Sequence, residues 1–202
     1  KDKNLIEVLK KKFKNQINII GNDILKISEN EISDRQLIVF GNLPYNISTK
    51  ILTKWIVSSG KKFWYKNLIL MFQKEVANRI VAKVNSRNYG RLSIISNWKL
   101  KIEKIMDISS SCFYPKPKVE STLLKFTPKS RHFSINNSKN LEMITRIFFS
   151  QRRKKIKNSF KKIFKNHEVV SKKLGIDLNL RPQNLSPENY YEITKEYENL
   201  SS

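Results

Sequence analysis

Short uninterrupted runs of apolar residues alternate, along the first 128 residues, with stretches in which apolar residues recur every three or four positions. The uninterrupted runs predict strands, at Ile17–Ile20, Leu37–Phe40 and Leu68–Phe72. The periodic stretches predict helices, near Leu5–Phe13 and over Thr49–Ser58 and Glu75–Val84. Short continuous apolar runs are typical of strands covered on both faces, as in a parallel sheet. The alternation of the two patterns therefore predicts an α/β layered fold.

Two further strands are predicted at residues 100–107 and at Val119–Phe126, the second of which is rich in Val, Thr and Leu. The loop between them contains Pro115 and Pro117. Each proline fixes its own φ and restricts the residue before it to extended conformations. We therefore expect a rigid loop rather than a flexible one.

The pattern changes after Phe126, where Thr127–Ser130 has the composition of a linker. Beyond it, apolar residues keep a helical spacing to the end of the chain. Gly175 is placed to end one helix, and Ser186-Pro187 combines an N-cap with a proline at the first helical position. We predict two domains, an α/β domain over residues 1–128 and a small all-α domain over residues 129–202.

The chain is strongly basic, with 40 Lys and Arg against 17 Asp and Glu and a formal net charge of +23 over 202 residues. Basic residues outnumber acidic ones on both sides of residue 128, so the excess is not a single basic tail. Such a charge favours a polyanionic partner, and RNA or DNA is the first choice. A general Lys-rich bias of the source proteome is the alternative explanation of the composition alone.

Composition also excludes several classes of protein. No run of about 18 apolar residues is present, which argues against a membrane-spanning helix. The single cysteine, Cys112, excludes a disulfide scaffold and a cysteine zinc cluster, and we expect it to be packed and inert. We expect His132 and His167 to lie on the surface and to hold no metal. A reducing, cytoplasmic location and a monomeric state are expected.

The chemistry is concentrated in Gly41–Asn46, directly after a predicted buried strand. Open α/β folds bind ligands at the carboxyl ends of their strands. Asn42 supplies an amide oxygen, the Leu43 carbonyl precedes a proline that holds it outward, Pro44 fixes the turn and Tyr45 offers a flat face. Together they predict a narrow site for a planar group with an exocyclic amine, such as adenine. Asn and Pro are also common in ordinary turns, which is the alternative reading of these residues alone.

Such a site answers a specific chemical need. The lone pair of the adenine N6 amine is delocalised into the ring, so the nitrogen is a poor nucleophile. Two carbonyl acceptors on its hydrogens favour a more tetrahedral nitrogen and release the lone pair for attack, which is stabilisation by placed dipoles combined with positioning. A strong general base is not needed, because the alkylated nitrogen is acidic and loses its proton to solvent.

Five motifs in order resemble one family, the small-subunit ribosomal RNA adenine-N6 dimethyltransferases (the KsgA family). The resemblance covers almost the whole chain, with Glu120 in place of the family's Asp in the Phe-x-Pro-x-Pro-Lys-Val-Asp-Ser loop. The five segments are Gly41–Thr49, Phe72–Arg79 with Tyr89–Ser93, Phe113–Ser121, Gln151–Lys154, and Leu174–Asp177 with Arg181-Pro182.

This resemblance implies a Rossmann-like methyltransferase domain that uses S-adenosylmethionine. Asn42 and the Leu43 carbonyl would hold the target amine, Tyr45 would stack on the flipped adenine and Phe113 would close the other side. Asp23 would bind the adenine amine of S-adenosylmethionine, with Asn42 also at the cofactor. The expected reaction dimethylates two adjacent adenosines near the 3′ end of small-subunit RNA, within the immature small ribosomal subunit.

The basic residues nearest these motifs are candidates for RNA contact. Lys116 and Lys118 flank the Phe113 loop and would meet phosphate if RNA enters there. Arg152, Arg153 and Lys154 follow an apolar anchor in the helical part and are a second candidate. Their alternative interpretation is a solvated helix face.

The sequence departs from the family at one point and leaves other functions open. The glycine-rich donor loop and the acidic residue that ends the family's second strand have no counterpart here, so we expect an N-terminally incomplete methyltransferase domain. One alternative is the related large-subunit RNA adenine methylase that confers macrolide resistance. Another is a non-catalytic RNA-binding factor for ribosome assembly.

Overall fold

A computed structural model describes residues 2–28, 32–60 and 62–201 of the chain. The elements run in the order α1 (Lys3–Phe13), β1 (Leu37–Asn42), α2 (Ser48–Ser58), β2 (Tyr65–Gln73), α3 (Lys74–Ile80), α4 (Arg91–Lys99), β3 (Leu100–Ile108), β4 (Ser121–Pro128), α5 (Ser138–Phe149), α6 (Lys157–Ile163), α7 (His167–Lys173) and α8 (Pro187–Ser201). This order confirms the prediction of an α/β part followed by a helical part.

The four strands form one mixed sheet in the order β1-β2-β4-β3. Only β1 and β2 are parallel, and β4 runs antiparallel to both of its neighbours. The parallel pairing expected of the short apolar runs is found for β1 and β2, whereas β3 and β4, for which the sequence indicated no direction, pair antiparallel. The connection between these two strands contains a single short 3-10 turn and no crossover helix, so the chain returns beside β3 in the opposite direction.

Residues 17–20, predicted as a strand, are irregular and pair with none of the four strands. A strand needs a neighbour for its backbone N–H and C=O groups, and in the described residues the sheet ends at β1. Along β1 the side chains alternate between half-buried and exposed, with Ile38 and Phe40 on the exposed face. The apolar run Leu37–Phe40 thus forms the predicted strand without being covered on both faces.

The buried core lies between the sheet and the helices α2 and α4. Ile51, Leu52 and Ile56 of α2 are fully buried, as are Leu68 and Leu70 of β2. Helix α4 was not predicted, because it is buried on almost every side and lacks the apolar stripe of an amphipathic helix. Helix α3 ends at Ile80, earlier than predicted.

Residues 129–202 share this core rather than standing apart from it. The Tyr191 hydroxyl donates to the Ile94 carbonyl at 2.9 Å, and the Trp98 ring N–H donates to the Phe133 carbonyl at 2.8 Å. Both bonds join α4 to the helical part, and buried residues of α5 and α8 belong to the same apolar cluster. The boundary at residue 128 remains a prediction.

Two local predictions in the helical part are confirmed. Gly175 follows α7 with a φ of +64°, a conformation that side-chain-bearing residues rarely adopt. At the start of α8, the Ser186 hydroxyl accepts the Asn189 backbone N–H at 3.2 Å, and the Asn189 side chain accepts the Ser186 N–H at 3.0 Å. This reciprocal pair satisfies backbone N–H groups at the helix start that have no partner within the helix.

Candidate functional site

The first wall of the candidate site is the turn that joins β1 to α2. The Ile47 backbone N–H donates to the Pro44 carbonyl at 3.1 Å, and the buried Ser48 hydroxyl donates to the Tyr45 carbonyl at 3.1 Å. Gly41, just before the turn, packs so tightly that a Cβ there would lie 2.6 Å from the Leu70 side chain. The sequence Gly41–Asn46 therefore folds into a fixed turn at the carboxyl end of β1.

The Tyr45 ring is anchored at its far end. Its hydroxyl lies 2.7 Å from the hydroxyl of Ser121, the first residue of β4, which is fully buried. The ring therefore spans from the β1–α2 turn to the end of the β3–β4 connection, two segments that are distant in sequence. This bond restrains the Tyr45 ring. It also gives the buried Ser121 hydroxyl, which water does not reach, a hydrogen-bond partner.

The second wall is the connection between β3 and β4. A 3-10 turn at Ser110–Cys112 leads into it, with the Phe113 N–H donating to the Ser110 carbonyl at 3.3 Å. Its far end is fastened to the start of α3, where the Lys74 N–H donates to the Glu120 carbonyl at 2.9 Å and the Lys74 ammonium pairs with the Glu120 carboxylate at 2.5 Å. The hydrogen bond to Glu120 raises the pKa of the exposed Lys74 ammonium.

The two walls border an open, mostly apolar pocket of about 330 Å³, which we call the slot. It is lined by Asn42, Leu43, Pro44, Tyr45, Phe113, Tyr114, Pro115 and Pro117. All five residues that the sequence analysis placed at the catalytic centre are among them. The volume is at the small end of the range for small-molecule sites, and a mostly apolar lining that includes one side-chain amide suits a flat ring that carries an amine.

Asp23 is not among the residues that line the slot. It is half-buried in a short turn, where its carboxylate accepts the Leu25 N–H at 3.1 Å and its carbonyl accepts the Lys26 N–H at 2.8 Å. The Lys54 ammonium on α2 donates to the Ile27 carbonyl at 2.7 Å and so fixes this turn against the helix that follows the slot.

The five predicted RNA-contacting residues divide into two groups. Lys116 and Lys118 are exposed on the slot's second wall. Arg153 and Lys154 are exposed, whereas Arg152 is half-buried and donates to the Gln183 side chain at 3.0 Å and to the Ser86 carbonyl at 3.2 Å. These three residues lie in a turn between α5 and α6 rather than on a helix, while Arg153 and Lys154 are solvated as the alternative interpretation expects.

A second and larger cavity, of about 1370 Å³, was missed by the sequence analysis. We call it the basic cleft, because six of its lining residues are cationic: Lys50, Lys54, Arg79, Arg87, Arg91 and Arg152. Among the described residues that line it, two are acidic: Glu75, which pairs with Arg79 at 2.5 Å, and Glu142. Residues from α2, α3, α5, the start of α4 and the segments before α4 and after α5 meet there. The only sequence signal was the basic residues within motifs that carry the family resemblance.

Three expectations about single residues are wrong. Cys112 is exposed rather than packed, because it ends the 3-10 turn before the slot wall. His132 and His167 are partly buried rather than on the surface. The His132 ring packs edge-on against Phe63 and Trp98, and burial, with the nearby Lys99 and Lys129, lowers its pKa.

Neither a membrane span nor a metal cluster is found within residues 2–28, 32–60 and 62–201. No helix there combines the length and the apolar character needed to cross a bilayer. No group of three or more His, Cys, Asp or Glu side chains is placed to hold a metal ion.

Comparison with known proteins identifies the class that this fold and slot define. The sequence model of the family described as "Ribosomal RNA adenine dimethylase" matches residues 1–199, and the chain belongs to that family.

Individual relatives have more specific names. The "Ribosomal RNA small subunit methyltransferase A" of Pelagibacter ubique is 58% identical over 200 residues, which are 99% of this chain and 76% of the relative. The protein of the same name from Zymomonas mobilis is 36% identical over 94% of this chain and 68% of its own length.

Solved structures share the fold. A dimethyladenosine transferase from Plasmodium falciparum superposes with a TM-score of 0.78 at 24% identity, over 99% of this chain and 80% of that one. The 23S rRNA methyltransferase ErmE superposes with a TM-score of 0.65 at 17% identity, over 98% and 79%. These similarities confirm the methyltransferase fold with its helical region.

Proposed function

We propose that this chain transfers methyl groups from S-adenosylmethionine to the N6 amines of two adjacent adenosines near the 3′ end of small-subunit ribosomal RNA. The observation that carries the proposal is the slot, in which an amide, a carbonyl before proline and two aromatic residues meet at the carboxyl end of a strand. Its mostly apolar lining, with the amide of Asn42 among apolar and aromatic residues, suits the size and polarity of one adenine. The small-subunit methyltransferases named above, at 36% and 58% identity, support the choice of RNA.

In this mechanism the target base leaves its stack and enters the slot. Tyr45 and Phe113 take the two faces of the base, and the bond from the Tyr45 hydroxyl to Ser121 holds the first of these rings in place. The Asn42 side-chain oxygen and the Leu43 carbonyl accept the two N6 hydrogens. The nitrogen then becomes more tetrahedral, its lone pair is directed at the incoming methyl group, and its proton is lost to solvent.

Asp23 suits the adenine amino group of the donor. A carboxylate can accept several N–H bonds, so the Asp23 carboxylate can take the amine of the donor's adenine in addition to the Leu25 N–H that it already accepts. Asn42, at the carboxyl end of β1, is the other candidate contact. When bound, S-adenosylmethionine supplies a methyl group on a positively charged sulfur, which is the electrophile.

RNA would approach across the basic surfaces. Lys116 and Lys118 lie on the slot's second wall, and Arg152, Arg153 and Lys154 lie near the basic cleft that Arg152 helps to line. Phosphate contacts of this kind position a substrate without reading its sequence. We propose that the chain acts as a monomer in the cytoplasm on the immature small subunit.

The direct test offers the purified protein unmethylated small subunits, large subunits and labelled S-adenosylmethionine, followed by nucleoside analysis of the digested RNA. We expect N6,N6-dimethyladenosine at two adjacent positions of the small-subunit RNA. Label in large-subunit RNA would replace the proposal with the macrolide-resistance activity. Small-subunit binding without label would leave a non-catalytic assembly factor.

A further inference from the structure

Tyr114 is the most exposed large hydrophobic or aromatic side chain in the described part of the chain. Its exposed fraction is 102%, so nothing in the fold covers the ring, whereas the neighbouring Phe113 is half-buried. Tyr114 nevertheless belongs to the lining of the slot. An exposed aromatic ring gains nothing from the core, and its place at the edge of a ligand-sized cavity calls for a partner.

The backbone under this ring is held firmly. Pro115 follows it directly, Pro117 comes two residues later, and both restrict the conformations of the loop. On one side the 3-10 turn Ser110–Cys112 ends at Phe113, and on the other the pair of Lys74 and Glu120 fastens the loop to α3. The ring is therefore presented at the rim of the slot by a fixed backbone, although its side chain contacts little else.

A base that enters the slot remains joined to its neighbours through the phosphate backbone. Extraction of that base leaves each neighbouring base without one of its stacking partners. The neighbouring nucleotide must lie near the rim, because one backbone repeat separates it from the slot. Aromatic side chains replace such lost stacking in proteins that bind single-stranded nucleic acid, and they do so for any base.

The charges around Tyr114 fit the same nucleotide. Lys116 and Lys118 are exposed two and four residues further along the loop, and ammonium groups at a slot rim attract the phosphates on either side of an extruded base. Glu120 is the one acidic residue nearby on this loop, and its carboxylate is already paired with Lys74. The rim therefore combines one flat apolar surface with cationic groups, which is the composition of a nucleotide subsite.

We propose that Tyr114 stacks on the base that adjoins the adenosine held in the slot and so forms a subsite for the flanking nucleotide. The subsite rests on the proposed function, since it requires an RNA base in the slot. It contributes to binding and to placement of the strand, and it takes no part in the transfer of the methyl group.

The test is a binding cycle between the Tyr114 ring and the flanking base, measured without donor. Dissociation constants are determined for a short RNA with the target adenosines and for two copies that lack the base on the 5′ or the 3′ side. With the intact RNA, Tyr114→Ala should weaken binding about tenfold, Tyr114→Phe should bind as wild type, and Tyr114→Leu should resemble Tyr114→Ala. With one of the abasic RNAs, Tyr114→Ala should have the same dissociation constant as wild type.

Val119→Ala is the matched control, because Val119 is exposed on the same loop and is not part of the slot lining. Thermal unfolding should be unchanged in all variants, since Tyr114 is uncovered. Equal affinity of wild type and Tyr114→Ala, or an equal loss with every RNA, overturns the subsite. Methylation by wild type in the same preparation separates this failure from failure of the proposed function.

Discussion

The slot and the basic cleft are built in opposite ways. The slot is an open pocket of about 330 Å³ with mostly apolar walls, formed by two loops at the ends of strands that the bond from Tyr45 to Ser121 ties together. The basic cleft is about four times larger, is lined by several helices from both sides of residue 128 and carries six cationic side chains. A small rigid cavity suits the reacting base, and a wide charged one suits the backbone of a large RNA.

This difference predicts that the acceptors for the target amine in the slot govern turnover, whereas the cationic residues of the basic cleft govern affinity. Placed carbonyl oxygens act on the transition state and have little effect on a ligand that is held mainly elsewhere. Cationic side chains raise affinity for every RNA and contribute little to the reacting nitrogen. Substitutions in the two regions should therefore separate kcat from the dissociation constant.

The largest effect is expected from Asn42→Ala. The substitution removes a carbonyl acceptor for the N6 amine, and loss of one such group typically lowers kcat by about 10²–10³. Single-turnover methylation of small subunits measures the loss, and filter binding should show an unchanged dissociation constant. Asn46→Ala is the matched control, since Asn46 is exposed on the same turn outside the slot lining. Equal rates for Asn42→Ala and wild type would remove Asn42 from the mechanism.

The next largest effect is expected from the double variant Arg87→Ala, Arg91→Ala in the basic cleft. Each lost phosphate contact should reduce the slope of log affinity against log salt by about 0.7 to 0.9. We expect binding to weaken at least about tenfold near physiological salt while kcat at saturating RNA is retained. Arg131→Ala serves as the control, because Arg131 is exposed and outside the cleft. An unchanged salt slope would assign the cleft to another ligand.

A smaller effect is expected from Tyr45→Phe. The substitution keeps the ring but removes its bond to the buried Ser121 hydroxyl, which should lower the free energy of unfolding by about 1 kcal/mol. Urea denaturation measures this change, and Tyr114→Phe is the control because its hydroxyl is fully exposed. Turnover should fall only a few-fold, since the stacking surface remains. A loss as large as that of Asn42→Ala would mean that the hydroxyl itself acts on the substrate.

The smallest effect is expected from Lys99→Met, which changes how stability depends on pH. Lys99 lines neither the slot nor the basic cleft. Burial lowers the pKa of its ammonium to about 8, against 10.5 for an ordinary lysine, and the group donates to the Ser59 carbonyl. Between these two values the unfolded chain binds more protons than the folded one, so this group makes stability rise with pH. Urea unfolding at pH 7.5 and 9.5 should show a smaller rise in Lys99→Met than in wild type. An equal rise in both proteins would contradict the assignment of this pH dependence to the Lys99 ammonium.

The first wall of the slot could be predicted from the sequence because its residues are consecutive. Asn42–Tyr45 follow an apolar run, so strand, turn and functional groups are read from one short segment. Phe113 was placed opposite them only through the family resemblance. The bond from Tyr45 to Ser121 joins residues far apart in sequence, and no local pattern indicates such a pair.

The fold shows the same limit. The sequence pattern predicted the four strands of the described sheet. The direction of β3 and β4, however, depends on which strand each one pairs with. Ile17–Ile20 has the composition of a strand and lacks a neighbour in the described sheet. The basic cleft was missed because its cationic residues come from separate helices and their flanking segments, which meet only through the packing of α2, α3 and α5 around α4.

The most direct test of the slot is a structure of the protein bound to the small subunit together with a donor analogue that has no transferable methyl group. The account predicts one adenine between the rings of Tyr45 and Phe113, with its N6 about 3 Å from both the Asn42 side-chain oxygen and the Leu43 carbonyl. An adenine bound with its amine directed to solvent, or RNA bound with the slot vacant, would contradict it.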